Sequence, residues 1–341
     1  MTQLIKGTMV LSCLAMMACN NGDTDTDTDD VVECNIKQVD VFPAPDEARA
    51  YYRTSVEANF KPEKDDNATI AVADSSGTAV AGTSSWRNNS LVFAPDAPLA
   101  PSTEYSTTLD YTCGNGETKQ IVANWTTSEV GAATDATALV GKSYVLDLAN
   151  ARFVEPEGIG ALLSQYLTVD VLVGIESTDA GEIKMIGAIA EDGSEPPAQA
   201  TCDPTIDFPV ADFSESPFFA VSGDSFEISV DEFTVTLEDF ALSGSFSPAG
   251  DYIDGVNLQG SIDTRPLVPL MGDETSGDDA ICVLAGSLGI NCIPCSDGTG
   301  DFCLSLVADS ISAPEGEGPL TKIEDPCALE ACSEEPECQE E

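Results

Sequence analysis

Seven short segments between residues 35 and 128 constrain this chain more than any other feature. They are Val39–Phe42, Ser55–Phe60, Thr69–Ala73, Thr78–Trp86, Leu91–Phe93, Tyr105–Tyr111 and Thr118–Thr127, rich in β-branched and aromatic residues. Turn chemistry separates them: Pro43 and Pro45, Asp74 to Gly77, Asn88 and Asn89, Gly114 to Gly116. Seven short strands at this spacing predict an antiparallel β-sandwich. The prolines fall between strands, where no ladder N–H is lost.

The motifs carry a resemblance as well. Phe93, Pro95, Pro98, Leu99, Pro101, Thr103 and Tyr105 form a run that resembles the bacterial Ig-like domain first described in S-layer proteins. Asp74 to Gly77 followed by Val80 and Gly82, and the early Phe60, resemble it too. The resemblance covers nearly all of residues 34–128 and implies an Ig-like sandwich. It also implies a modular stalk or binding module on a cell surface. Cys34 precedes the first strand and Cys113 ends the sixth. In a seven-strand up-down order both lie at one end, so topology predicts a Cys34–Cys113 bridge. The same order sends the chain in at one end and out at the other, as a spacer of roughly 40 Å. A stiff spacer without a ligand and an adhesive face are both compatible with this.

At the N-terminus, Lys6 precedes an apolar run from Met9 to Met17, then Ala18 and Cys19. This reads as an export signal. The run is too short to span a bilayer, which needs ~20 residues. Ala18 before Cys19 resembles the lipobox of bacterial lipoproteins. That resemblance implies that residues 1–18 are removed and that Cys19 carries the lipid anchor. Asn20, where an Asp would retain the protein at the inner membrane, implies the outer membrane. The membrane is therefore an expected partner, since two or three acyl chains anchor stably. Residues 19–33 are expected to form an extended acidic tether, because the run from Asn20 to Asp30 carries Asp23, Asp25, Asp27, Asp29 and Asp30 and no apolar residue. Alternating Asp also offers oxygens at calcium-loop spacing, but the Gly and closing Glu of an EF-hand loop are missing.

Sixty acidic residues against 13 basic ones give a net charge of −47. Most of the acids lie outside the tether and the tail, so the whole surface repels nucleic acid and anionic headgroups. Weak, diffuse calcium binding is compatible with it. Beyond Cys19, ten cysteines remain: Cys34, Cys113, Cys202, Cys282, Cys292, Cys295, Cys303, Cys327, Cys332 and Cys338. An even number in an exported chain predicts disulfides. Cys292 and Cys295, with Cys282 and Cys303 nearby, have zinc-knuckle spacing, the alternative a reducing compartment would favour. The second domain holds five of the ten and the tail three. Full pairing therefore requires a bridge between them.

After the small, polar stretch 128–137, a second domain is expected over 138–323 and an acidic tail over 324–341. Strands are predicted at Tyr144–Leu148, Thr168–Glu176, Glu182–Ala190, Phe226–Val230, Phe233–Leu237, Phe240–Phe246 and Val256–Ile262. Ile159, Leu162, Leu163, Tyr166 and Leu167 share one face of a short predicted helix. The expected class is all-β: an Ig-like sandwich followed by a disulfide-containing antiparallel domain with one short helix. Meander, half-barrel and sandwich all fit the second domain. It bears a general likeness to the C-terminal regions of uncharacterised lipoproteins from myxobacteria and relatives.

The chain has no histidine. That removes the Ser-His-Asp triad, His-ligated zinc and the usual neutral-pH base. No phosphate-binding glycine loop follows a strand. No catalytic residue, resident metal or cofactor is expected. The leading reading is a non-catalytic outer-membrane lipoprotein that presents a β-rich binding or adhesion head on an Ig-like spacer. The alternative is a carrier holding an apolar ligand or lipid in the second domain under the 159–167 helix, and a hydrolase ranks third.

Overall fold

The computed structural model describes residues 33–148, 151–156, 170–191, 193–230, 233–271, 277–332 and 338. The expected signal segment, Cys19, the expected tether up to residue 32 and the helix expected at 159–167 lie outside the described residues.

The first seven strands face each other in two sheets. One runs β1 (Ile36–Phe42), β2 (Val56–Pro62), β5 (Ser90–Pro95), β4 (Gly82–Arg87); the other runs β3 (Thr69–Asp74), β6 (Glu104–Thr112), β7 (Thr118–Thr126). All neighbours are antiparallel. Strand alternation builds the core: along β6, Tyr105, Thr107, Leu109 and Tyr111 turn inward and their neighbours outward. Phe60 and Trp125 are fully enclosed. Trp125 stacks on Tyr105 at 5.2 Å, and its indole N–H donates to Thr107 Oγ1 at 2.9 Å. The segment expected as one strand from Thr78 to Trp86 is divided. Ala79 and Val80 pair with β3, and only from Gly82 does the chain join β5. It crosses from one sheet to the other there, which the run of small residues permits.

The second unit is one long antiparallel sheet. Its order is β8 (Ser143–Leu146), β10 (Val171–Asp179), β11 (Glu182–Ile189), β13 (Ala211–Asp212), β14 (Phe218–Val230), β15 (Phe233–Phe246), β16 (Tyr252–Asp263), β17 (Cys303–Pro314), β9 (Arg152–Glu155), with β12 (Ile206–Asp207) beside β11. The sheet curls until its ends approach. Asp147 N–H donates to Ser312 O, Gly316 N–H to Ser143 O, and Tyr144 bridges Glu315. The concave side is filled by Tyr144, Phe213, Phe219 and Phe246, whose rings lie 5.3–5.8 Å from that of Phe246. Segments expected as two strands, Phe233–Leu237 and Phe240–Phe246, are one. The break in the pattern is a bulge against β16 at Asp239, where φ is +48°. The described α-helix is α1 (Ala280–Ser287), apolar on most sides, with Val283, Leu284 and Leu288 exposed.

Five disulfides close the structure. Cys34–Cys113 ties the start of β1 to the end of β6. Cys282–Cys292 and Cys295–Cys303 staple the segment around α1 to β17. Cys202–Cys332 fastens the tail to the curled sheet, and Cys327–Cys338 closes within the tail. No described helix is long and apolar enough to cross a membrane.

Candidate functional site

The loop between β1 and β2 carries Glu47, Arg49, Tyr51, Tyr52 and Arg53. It does not stand free. Ala50 N–H donates to Thr126 O at 3.0 Å, Ser128 N–H to Ala50 O at 2.9 Å, and Asp46 N–H to Asn124 O at 2.7 Å, so the loop is hydrogen-bonded along the end of β7. This rigid support aims two tyrosines at the curled sheet. The Tyr51 and Tyr52 hydroxyls lie 2.9 and 3.1 Å from Ser245 Oγ, which is fully buried on β15. The Tyr51 ring lies against Gly255, where a Cβ would strike it and where φ is +61°. The Tyr52 ring lies against Gly131 in the same way, at φ +104°. Burial raises the Tyr51 phenol well above its usual value, so it stays neutral. The stretch 128–137 is packed too: Val130 is fully enclosed and Thr134 Oγ1 donates to Pro248 O.

Beside this latch lies a cleft of about 470 Å³ between the sandwich and the curled sheet. Three of the chain's five arginines line it: Arg49, Arg53 and Arg152. In a chain of net charge −47 that is a marked local concentration of cations. Each sits over an aromatic ring, Arg53 3.9 Å from the Phe218 centroid, Arg152 5.0 Å from Phe42 and Arg49 5.2 Å from Tyr252. Arg152 donates two 2.7 Å bonds to Asp309 and lies 3.8 Å from buried Glu57. Arg53 pairs with Glu215. Asp254, half-buried at the cleft wall, accepts from Gly255 N–H at 2.8 Å. Burial raises its carboxyl above the usual range, and Glu47 adds to the shift; Gly255 and Arg49 oppose it.

A second cluster brings Glu238, Cys295 and Cys303 together, with one ligand atom of each within 4.8 Å of the others. The two sulfurs are bonded to each other, so neither is the thiolate a metal requires. Glu238 instead accepts from Ser296 N–H at 2.9 Å and Ser296 Oγ at 2.7 Å. The turn Asp297–Asp301 is committed similarly. Asp297 accepts from Arg265 and from the Thr299 N–H and hydroxyl, which hold its carboxyl down at about 2.

The ten cysteines singled out in the sequence are structural staples away from the cleft. The cleft residues were missed. Their one sequence signal is the cluster Arg49, Tyr51, Tyr52, Arg53, two of five arginines flanking a tyrosine pair.

Residues 36–128 match the bacterial Ig-like domain family. Among solved structures, the chain is similar to CopC from Methylosinus trichosporium OB3b, with 15% identity over 27% of this chain and 94% of that one, at a TM-score of 0.23. It is also similar to the uncharacterized protein lmo2446 from Listeria monocytogenes EGD-e, solved with glucose, magnesium and calcium. There the identity is 10% over 65% of this chain and 21% of that one, at a TM-score of 0.17. At such TM-scores neither likeness bears on the chemistry of this chain. No curated protein sequence matches it.

Proposed function

We propose that this chain is a non-catalytic binding protein, exported and anchored to the outer membrane through Cys19, whose ligand site is the cleft between the Ig-like sandwich and the curled sheet. One observation carries the reading: three of five arginines converge, each over an aromatic ring, on a cleft of about 470 Å³. Small-ligand sites are concave, sit at domain interfaces and combine apolar walls with a few fixed polar groups. The Ig-like unit then helps to form the site as well as acting as a spacer. An apolar carrier is disfavoured because the concave side of the curled sheet is filled by Tyr144, Phe219 and Phe246.

The test is a thermal-shift screen of sugars, organic acids, amines and amino acids on the full chain and on Phe218→Ala. The expected result is a compound class that raises the melting temperature of the parent and loses that effect in the variant. Stabilisation equal in both proteins, or none at all, would remove the cleft as the site. Metabolic labelling with a palmitate analogue, lost in Cys19→Ala, tests the anchor independently.

A further inference from the structure

The charges in the cleft are unequally used. Arg152 is paired with Asp309 and lies near Glu57, and Arg53 is paired with Glu215. Among the described residues, no carboxylate lies within ion-pair distance of Arg49, and no cation pairs with Asp254 or Glu47. Glu47 accepts only from Ala44 N–H at 3.0 Å, and Asp254 from Gly255 N–H. Arg49 and Asp254 feel each other's field without forming a pair. The cleft therefore presents one unmatched cation and two unmatched carboxylates, with Phe42 and Phe218 as apolar walls.

This combination selects among ligands. A simple anion would gain Arg49 but meet two carboxylates. A simple cation would gain the carboxylates but meet Arg49. A neutral ligand would leave all three without an ionic partner, a cost that falls on half-buried Asp254 and Glu47, since Arg49 is exposed. A ligand carrying both charges a few ångströms apart satisfies every group at once. Arginine suits a carboxylate because its planar fork can donate two parallel bonds. Two carboxylates suit an ammonium, which has three donors.

We propose that the cleft binds the zwitterionic head of an α-amino acid or short peptide, with the ligand carboxylate on Arg49, the ammonium on Asp254 and Glu47, and the side chain against Phe42 and Phe218. This rests on the assignment of the cleft as the ligand site and names its ligand class. The volume suits an amino acid or dipeptide, near the lower end of the roughly 300–1,000 Å³ usual for small-molecule sites.

The test is isothermal titration of the full, disulfide-bonded chain with L-phenylalanine, L-leucine and glycyl-L-leucine. 3-Phenylpropionate lacks the ammonium, phenethylamine lacks the carboxylate, and glucose is neutral. At least one zwitterion is expected to bind with a Kd of about 1 mM or tighter, and its single-charge analogues about tenfold more weakly or not at all. Arg49→Gln and Asp254→Asn should each weaken the zwitterion about tenfold, while Arg49→Lys retains part of the affinity. Melting curves of the unliganded variants separate lost binding from lost folding. If 3-phenylpropionate or glucose binds as well as the amino acids and Phe218→Ala abolishes it, the cleft stands and the zwitterion assignment is overturned. If no probe binds, or binding ignores Arg49, Asp254 and Phe218 alike, both fall.

Discussion

The sandwich and the curled sheet solve one problem in different ways. Each must hide one face of every sheet from water. The sandwich presses two small sheets together: β2 pairs with β5 and β3 with β6 across crossovers, and one bridge, Cys34–Cys113, ties the start of β1 to the end of β6. The curled sheet has no partner layer and closes on itself, bringing β8 back to β17 across about half the chain. Its closure depends on large rings at the centre and on bridges at the margin, including Cys202–Cys332 across 130 residues. Neither unit alone forms the cleft. It exists because the loop before β2 is built into the sandwich and latched onto β15 and β16 of the other unit.

The largest effect should come from the centre of the curl. Phe246 is fully buried and touches Tyr144, Phe213 and Phe219, so Phe246→Ala should cost about 3–5 kcal/mol. Urea unfolding of the full chain measures it. If the latch couples the units, the sandwich signal from Trp125 shifts as well; an unmoved sandwich transition would show that the units unfold independently. Gly255→Ala forces a side chain into a positive-φ site and against the Tyr51 ring, for a loss of about 2 kcal/mol or more. The same unfolding curves check it.

Smaller effects sharpen the picture. Tyr51→Phe removes one of two hydroxyls on Ser245 and should cost about 1 kcal/mol. Tyr52→Phe on the same acceptor should not add independently, which a double-mutant cycle tests. The smallest effect depends on pH. The Asp254 carboxyl is raised above its unfolded value, so its contribution is complete below that value and is lost as pH rises through the folded one. Asp254→Asn should therefore raise the melting temperature at about pH 7 and leave it unchanged at about pH 3. A gain of equal size at both values would remove the buried charge as the cause.

The fold was legible where contacts are local. Alternation and turn residues locate the sandwich strands, because a strand buried on one face must alternate. The same logic finds β10, β11 and the β15–β16 hairpin. It fails at Thr78–Trp86, where small side chains leave no pattern to show a change of sheet. It also fails at β15, where the bulge at Asp239 looks like a strand end. Composition suggests many short strands but does not show whether a sheet curls or stacks, since both bury alternate residues. The cleft was not legible, because Tyr51 and Ser245 stand 194 residues apart and their meeting is a property of the docked units. Only the placement of Arg49 and Arg53 around two tyrosines, in a chain so poor in cations, hinted at it.

The loop carrying Glu47 to Arg53 is a fixed wall between two units that move as one. Hydrogen exchange of its amides tests this most directly, because Asp46, Ala50 and Thr54 donate to backbone carbonyls. These amides should exchange as slowly as those of β7 and lose protection together with β15 when Tyr51 and Tyr52 are both changed to Ala. Rapid exchange of the loop in the parent protein, with both sheets still protected, would show a hinge and contradict the claim.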